Sequence, residues 1–246
     1  MNPKGSLTKS GVFIYDSYKD NIIIDKYNRV FLKMRAPKLE AIRSENSEDA
    51  VTWNIFRTLQ KIDPELWLPK LFQASFRKLR YDIVQDMKIS LWKKFTPPAG
   101  VQNPEGPTEV DVMLENDHFV WFIEVKYKSD ISMKTVHDNS RNQILRNIDI
   151  GSDYAGKKDF YFSLLILDEK YSPKGVQIID SYKNECLEAY GNLKEISLLK
   201  FEDLRNLFRF CEEQVQYEDE KYLVQLAKKD LEKRIAQFSI FPQLKM

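Results

Sequence analysis

TEVDVMLENDHFVWFIEVKYK, running from Thr108 to Lys128, is the stretch whose reading decides the fold. It holds two runs that alternate with a period of two, the signature of β-strands. In the first run Val110, Val112 and Leu114 share one side, and Glu109, Asp111 and Met113 the other. In the second, Phe119, Trp121, Ile123 and Val125 alternate with Val120, Phe122, Glu124 and Lys126. Read with Asn116-Asp117 as a two-residue turn, the stretch predicts an amphipathic β-hairpin. Asp111, Glu124 and Lys126 then project from one side over a shared apolar back, with Asp111 opposite Phe122 and diagonal to Glu124. A one-residue slip in either strand would separate the two acids.

Working outward, SENSEDAVTWNIFRTLQKI predicts a helix beginning near Ser47. Val51, Ile55, Leu59 and Ile62 recur at helical spacing, Glu48 and Asp49 suit its first turn, and Pro64 closes it. A helix over residues 69–80 and a strand over 87–95 follow, and then a Pro- and Gly-rich loop from Pro97 to Pro107. Beyond the hairpin, Met133 to Gly151 reads as a helix with Ile144, Leu145 and Ile148 inward, stopped by the glycine. Phe160 to Leu167 is an unbroken apolar run, the pattern of a buried strand. Upstream, GVFIYD, NIII and VFLKM within residues 11–33 read as three short β-like runs. After residue 170 the chain reads as mainly helical, with Leu204, Leu207, Phe208 and Cys211 on one face and Leu223, Leu226 and Leu231 in a charged terminal helix. The expected fold class is α/β: a central mixed β-sheet flanked by helices, with extra C-terminal helices. It forms one domain with its core over 44–170, an N-terminal extension over 1–43 and a helical part over 171–246.

Composition narrows the function classes. The chain has 246 residues, 43% of them hydrophobic, with 8 glycines and 10 prolines, so it has ample core material and no long flexible linker. Cys186 and Cys211 lack metal-site spacing and only two histidines are present, which argues against structural zinc. The N-terminus lacks a signal-peptide pattern, and the longest apolar segment, Phe160 to Leu167, is too short to span a bilayer. The expectation is a cytoplasmic protein with no membrane partner. Net charge is +1, but Leu66 to Gly100 carries seven basic residues against Asp82 and Asp86, whereas Glu202 to Glu220 is strongly acidic. A basic face for nucleic acid and ordinary solvated faces both fit this distribution.

The hairpin's polar set has a chemistry of its own. Two carboxylates held close repel unless a cation intervenes. Mg²⁺ takes oxygen ligands, keeps several waters and is satisfied by one or two carboxylates plus a phosphate oxygen. A lysine pointing the same way can orient an attacking water or stabilise developing charge. Asp111 followed by Glu124-Val125-Lys126 is therefore a workable set for metal-assisted phosphodiester cleavage.

From about Ser44 to Leu167 the chain resembles the PD-(D/E)XK nuclease superfamily, whose restriction-endonuclease-like core runs helix, three strands, helix, strand. Asp111 matches the motif aspartate, and Glu124 with Lys126 matches the (D/E)XK pair; Val110 stands where the motif has proline. The resemblance also brings in Glu48, at the place of an acidic residue on the first core helix, and Gln143, at the place of a glutamine on the helix after the third strand. It implies a Mg²⁺-dependent nuclease, with Mn²⁺ a substitute, acting on DNA as an endonuclease. In this reading Glu48, Asp111, Glu124 and the Val125 carbonyl hold the metal, Lys126 handles the water and Gln143 supports the site. Two alternatives stand beside it: an RNA-directed nuclease, and a non-catalytic module on the same fold that binds nucleic acid or protein. A homodimer or a partner subunit is open.

Several flanking residues have competing readings. Glu45 rivals Glu48. Glu109 shares the face of Asp111 and could serve as a secondary ligand. Arg141 and Arg146 are either phosphate contacts or solvated helix charges. His118 reads as a turn residue rather than a base, and Trp53, Trp67, Trp92 and Trp121 as core rather than stacking platforms.

Overall fold

The computed structural model describes residues 4–97, 106–134 and 141–240, excluding the side chains of 184–186 and 238–240. Most of the 97–107 loop, His137 and the Cys186 side chain lie outside the described residues. In chain order the elements are β1 (Gly5–Leu7), β2 (Phe13–Tyr15), α1 (Arg29–Lys33), α2 (Ala36–Ile42), α3 (Glu48–Leu59) and α4 (Pro64–Phe76). Then come β3 (Lys88–Phe95), β4 (Thr108–Glu115), β5 (Phe119–Lys126), α5 (Gln143–Ala155), β6 (Asp159–Ile166), α6 (Pro173–Ala189), β7 (Leu193–Lys200), α7 (Phe201–Gln214) and α8 (Glu218–Ile240). Two compact units divide the chain: residues 1–63 with 204–246, and residues 64–203.

In the first unit β1 and β2 form an antiparallel pair and α3 packs on α8. The Ser47 hydroxyl caps α3 by accepting from the Ala50 amide at 3.2 Å, and Val51, Ile55, Leu59 and Ile62 are all buried. Two of the three upstream β-like runs are not strands. Ile22 and Ile24 of NIII are buried without forming a ladder, and VFLK falls in α1, which Asn28 caps. Short apolar runs report burial more faithfully than they report strand or helix. A buried polar network organises this unit: Arg234 donates to Asp230, Asn21 and the Glu45 carbonyl, and Asn54 donates to Asp230 and the Asn21 carbonyl. Along α8 Leu231 is buried as expected, but the rest of the stripe is Val224 and Ala227, one position off the expected Leu223 and Leu226.

The second unit opens with α4. Pro64 starts this helix rather than merely closing the one before it, because a proline at the first helical position forfeits no hydrogen bond. Pro69 lies inside α4, so the helix expected over 69–80 begins five residues earlier and stops at Phe76, with Arg77 left-handed at φ 58°.

The five-stranded sheet has the order β3-β4-β5-β6-β7. Its first three strands are antiparallel and its last three parallel, joined by the crossover helices α5 and α6. β7 lies in a segment expected to be helical: charged Lys194 and Glu195 mask its alternation, and pairing with β6 decides it. The α5 helix begins at Gln143, capped by Asn142, and Met133 and Lys134 are not helical. It also runs through Gly151 to Ala155. That glycine sits against the Phe160 ring, where a Cβ would come within 2.0 Å, and the stop is Gly156 at φ 58°.

Both faces of the sheet are covered. Val120, Phe122, Phe160 and Phe162 pack with Ile144 and Ile148 of α5 on one side. On the other, Phe72 and Phe76 of α4 surround Trp121 and Tyr161, with ring centroids 5.0–5.7 Å apart. Every residue of β5 is buried. The hairpin is therefore not amphipathic with one wet face: the side carrying Glu124 and Lys126 lies under α5. A strand with both faces helix-covered reads as continuous burial.

Candidate functional site

The hairpin turn is Asp117-His118, closed by the Asn116 amide donating to the Phe119 carbonyl at 3.1 Å. Asn116 Oδ1 accepts from the His118 and Phe119 amides, which pins the turn one residue later than expected. Moving the turn by one residue displaces the strand pairing by two, so the paired side chains, Val112 to Glu115 and Val120 to Ile123, keep their faces. Val112 pairs with Ile123 and Met113 with Phe122. The β4–β5 pairs run from Glu115–Val120 to Val112–Ile123, one step short of Asp111 and Glu124.

Asp111 occupies an irregular point. The β3–β4 ladder pairs Leu91 with Val112 and Lys93 with Val110 but skips Trp92 and Asp111 between them. Trp92 has φ 53°, a left-handed conformation costly for a bulky side chain. Val110 and Met113, three apart, enter the same buried cluster, so the alternation breaks at this step. Backbone strain of this kind concentrates where a side chain must be aimed. Here it accompanies an Asp111 carboxylate whose Oδ2 accepts from the Val125 amide at 2.9 Å.

Glu124 is 1% exposed and its carboxylate is gripped at both oxygens. Oε1 accepts from Lys126 Nζ at 2.7 Å and from Gln143 Nε2 at 2.7 Å; Oε2 accepts from Asn147 Nδ2 at 2.8 Å. A buried charge is tolerable only when paired and hydrogen-bonded, and this one is both. Gln143 and Asn147 lie one turn apart on α5 and so face the sheet together. Sequence reasoning found Gln143 and missed Asn147, although an asparagine four residues on, among Ile144, Ile148 and Ile150, was a legible signal. Asp111, Glu124, Lys126, Gln143 and the Val125 backbone thus converge at the C-terminal end of β5, the end at which open α/β sheets place their ligands.

The donor set suits a hard cation. Asp111 and Glu124 offer carboxylate oxygens, and with Lys126 their charges, −1, −1 and +1, sum to −1. Among the described residues no three of His, Cys, Asp and Glu gather into a metal-binding group. Two carboxylates with water completing the shell are a ligand set that Mg²⁺ accepts.

The remaining candidates are placed as follows. Glu48 opens α3 in the first unit, where its carbonyl accepts the Thr52 hydroxyl at 2.8 Å. Glu45, its rival, is structural: its carboxylate accepts from the Phe13 amide at 2.7 Å and from Gln237 at 2.9 Å. Glu109 pairs across the ladder with Lys94. Arg141 is paired with Asp149, and Arg146 donates to the Gly106 carbonyl. His118 is an exposed turn residue, and all four tryptophans are buried. In the basic segment Lys78 pairs with Glu195, Arg80 with Asp82 and Asp159, and Lys93 with Glu115. The hydrogen bond that the Lys78 ammonium donates to the Glu195 carboxylate holds its pKa above the ordinary lysine range. Glu202, Asp203, Glu218, Asp219 and Glu220 occupy the first turns of α7 and α8, where carboxylates complement the helix dipole.

The class these observations define is an α/β protein with a five-stranded mixed sheet flanked by helices. Comparison with protein-family models, curated proteins and solved structures finds no match.

Proposed function

We propose that this protein is a divalent-metal-dependent nuclease with a restriction-endonuclease-like core, hydrolysing phosphodiester bonds in DNA. The observation that carries the reading is the Glu124-Val125-Lys126 segment, whose Val125 amide donates to Asp111 Oδ2 at 2.9 Å and whose Glu124 is held by Lys126 and Gln143. Asp111, Glu124 and the Val125 carbonyl are the groups that would hold Mg²⁺, which, when bound, polarises the scissile phosphate and acidifies a coordinated water. Lys126 supplies a cation beside those carboxylates, suited to orient the attacking water and to offset charge developing on the phosphate. Gln143 fixes the Glu124 carboxylate without neutralising it.

The rival reading is a non-catalytic binding module in which the saturated, buried Glu124 is purely structural. Incubating the protein with linear, circular and single-stranded DNA, with and without Mg²⁺, separates the two. The nuclease reading expects metal-dependent cleavage that Asp111→Ala and Lys126→Ala abolish while the far-ultraviolet circular dichroism spectrum is retained. Unchanged metal-dependent cleavage by Asp111→Ala would overturn it, and cleavage of circular DNA identifies endonuclease action.

A further inference from the structure

We infer that Asn147 is a positioning residue that presents Oε2 of Glu124 to the divalent cation; the inference rests on the nuclease reading. Asn147 is 1% exposed, and its side-chain amide donates to Glu124 Oε2 at 2.8 Å. Its helical neighbours Ile144, Ile148 and Ile150 are buried in the apolar cluster. Asparagine is a poor helix former, and burying its amide costs desolvation, so leucine would serve the core better. Local rules broken in this way mark functional positions.

The two oxygens of Glu124 are treated differently. Oε1 receives the Lys126 ammonium and the Gln143 amide, whereas among the described residues Oε2 receives only the neutral Asn147 amide. A carboxylate oxygen has two lone-pair directions, so Oε2 keeps one of them and most of its charge. Separate donors on the two oxygens also stop the carboxylate from rotating. Asn147 therefore acts through Glu124, by orientation, and touches neither substrate nor reacting atoms.

The test titrates Mn²⁺ calorimetrically into the full-length protein without DNA and measures DNA cleavage in parallel, for wild type, Asn147→Leu and Asn147→Ala. Both variants are expected to bind Mn²⁺ on the order of tenfold more weakly, the loss of one hydrogen bond to a charged group. Their KM for DNA at saturating Mn²⁺ should be unchanged, and excess Mn²⁺ should restore kcat. A merely structural Asn147 would lower the melting temperature and leave Mn²⁺ affinity as in wild type. Wild-type affinity in the variants overturns the role of Asn147 and leaves the nuclease reading standing. Absence of Mn²⁺ binding and of cleavage in the wild type overturns the nuclease reading and this inference with it. Should Asn147→Leu not fold, Asn147→Ala, with the best helix former, carries the comparison.

Discussion

Glu124 and Lys126 are a buried ion pair, at 1% and 7% exposure, so each depends on the other for its tolerance of burial. Removing one partner strands the other charge. Lys126→Met is expected to destabilise the protein by about 3 kcal/mol. The double variant Glu124→Gln/Lys126→Met should recover much of that loss. Urea unfolding of the full cycle checks it, and strict additivity of the two single changes would rule out the pairing. Cys211 behaves as a core residue, its thiol pushed up to about 12 by burial. An acid with a raised folded value stabilises the fold fully below its unfolded value, ordinarily 9.0, and loses that contribution as pH climbs toward about 12. Stability should therefore fall between those limits more steeply in wild type than in Cys211→Ala. Parallel pH profiles of the two proteins would contradict this.

At the scale of elements, two contacts set the geometry around β5. The Asn116 side chain holds the hairpin turn through Oδ1 and donates to the carbonyls of Ile83 and Gln85, both at 3.2 Å. Asn116→Asp keeps the acceptor and loses the donors. It should cost about 1–3 kcal/mol by leaving the buried Ile83 carbonyl unpaired, read as a lower urea midpoint; an unchanged midpoint would show that water replaces those bonds. On the sheet-facing side of α5, Gly151 lets the helix lie directly on Phe160. Gly151→Ala should destabilise by about 1–3 kcal/mol through overpacking, despite alanine's better helix propensity. Thermal melts of Gly151→Ala with and without Phe160→Leu test the cause, since the smaller ring-free side chain should relieve part of the strain.

For the whole molecule, charge is nearly balanced, 38 basic residues against 37 acidic ones, and part of the basic segment is committed to internal pairs. On the proposed nuclease reading, DNA binding should depend only modestly on salt, with a log–log slope no steeper than about −4. Fluorescence anisotropy over a salt series measures it, and a slope near twice that value would mean the ion pairs open to phosphate. Among the described residues no helix is long and apolar enough to cross a membrane. The sequence by itself determined the strands β3 to β6 and the helix headed by Ser47, because period-two and helical spacing and capping are local signals. It also determined that Glu124 and Lys126 share a face, since parity along a strand survives a two-residue error in register. Tertiary structure alone decided that Asp111 reaches the Val125 amide, that β7 is a strand, and that the side of the hairpin carrying Glu124 and Lys126 is covered by α5. It alone added Asn147. Each of these depends on which elements meet across the sheet, and burial and partnership are properties of that meeting rather than of any local run of residues.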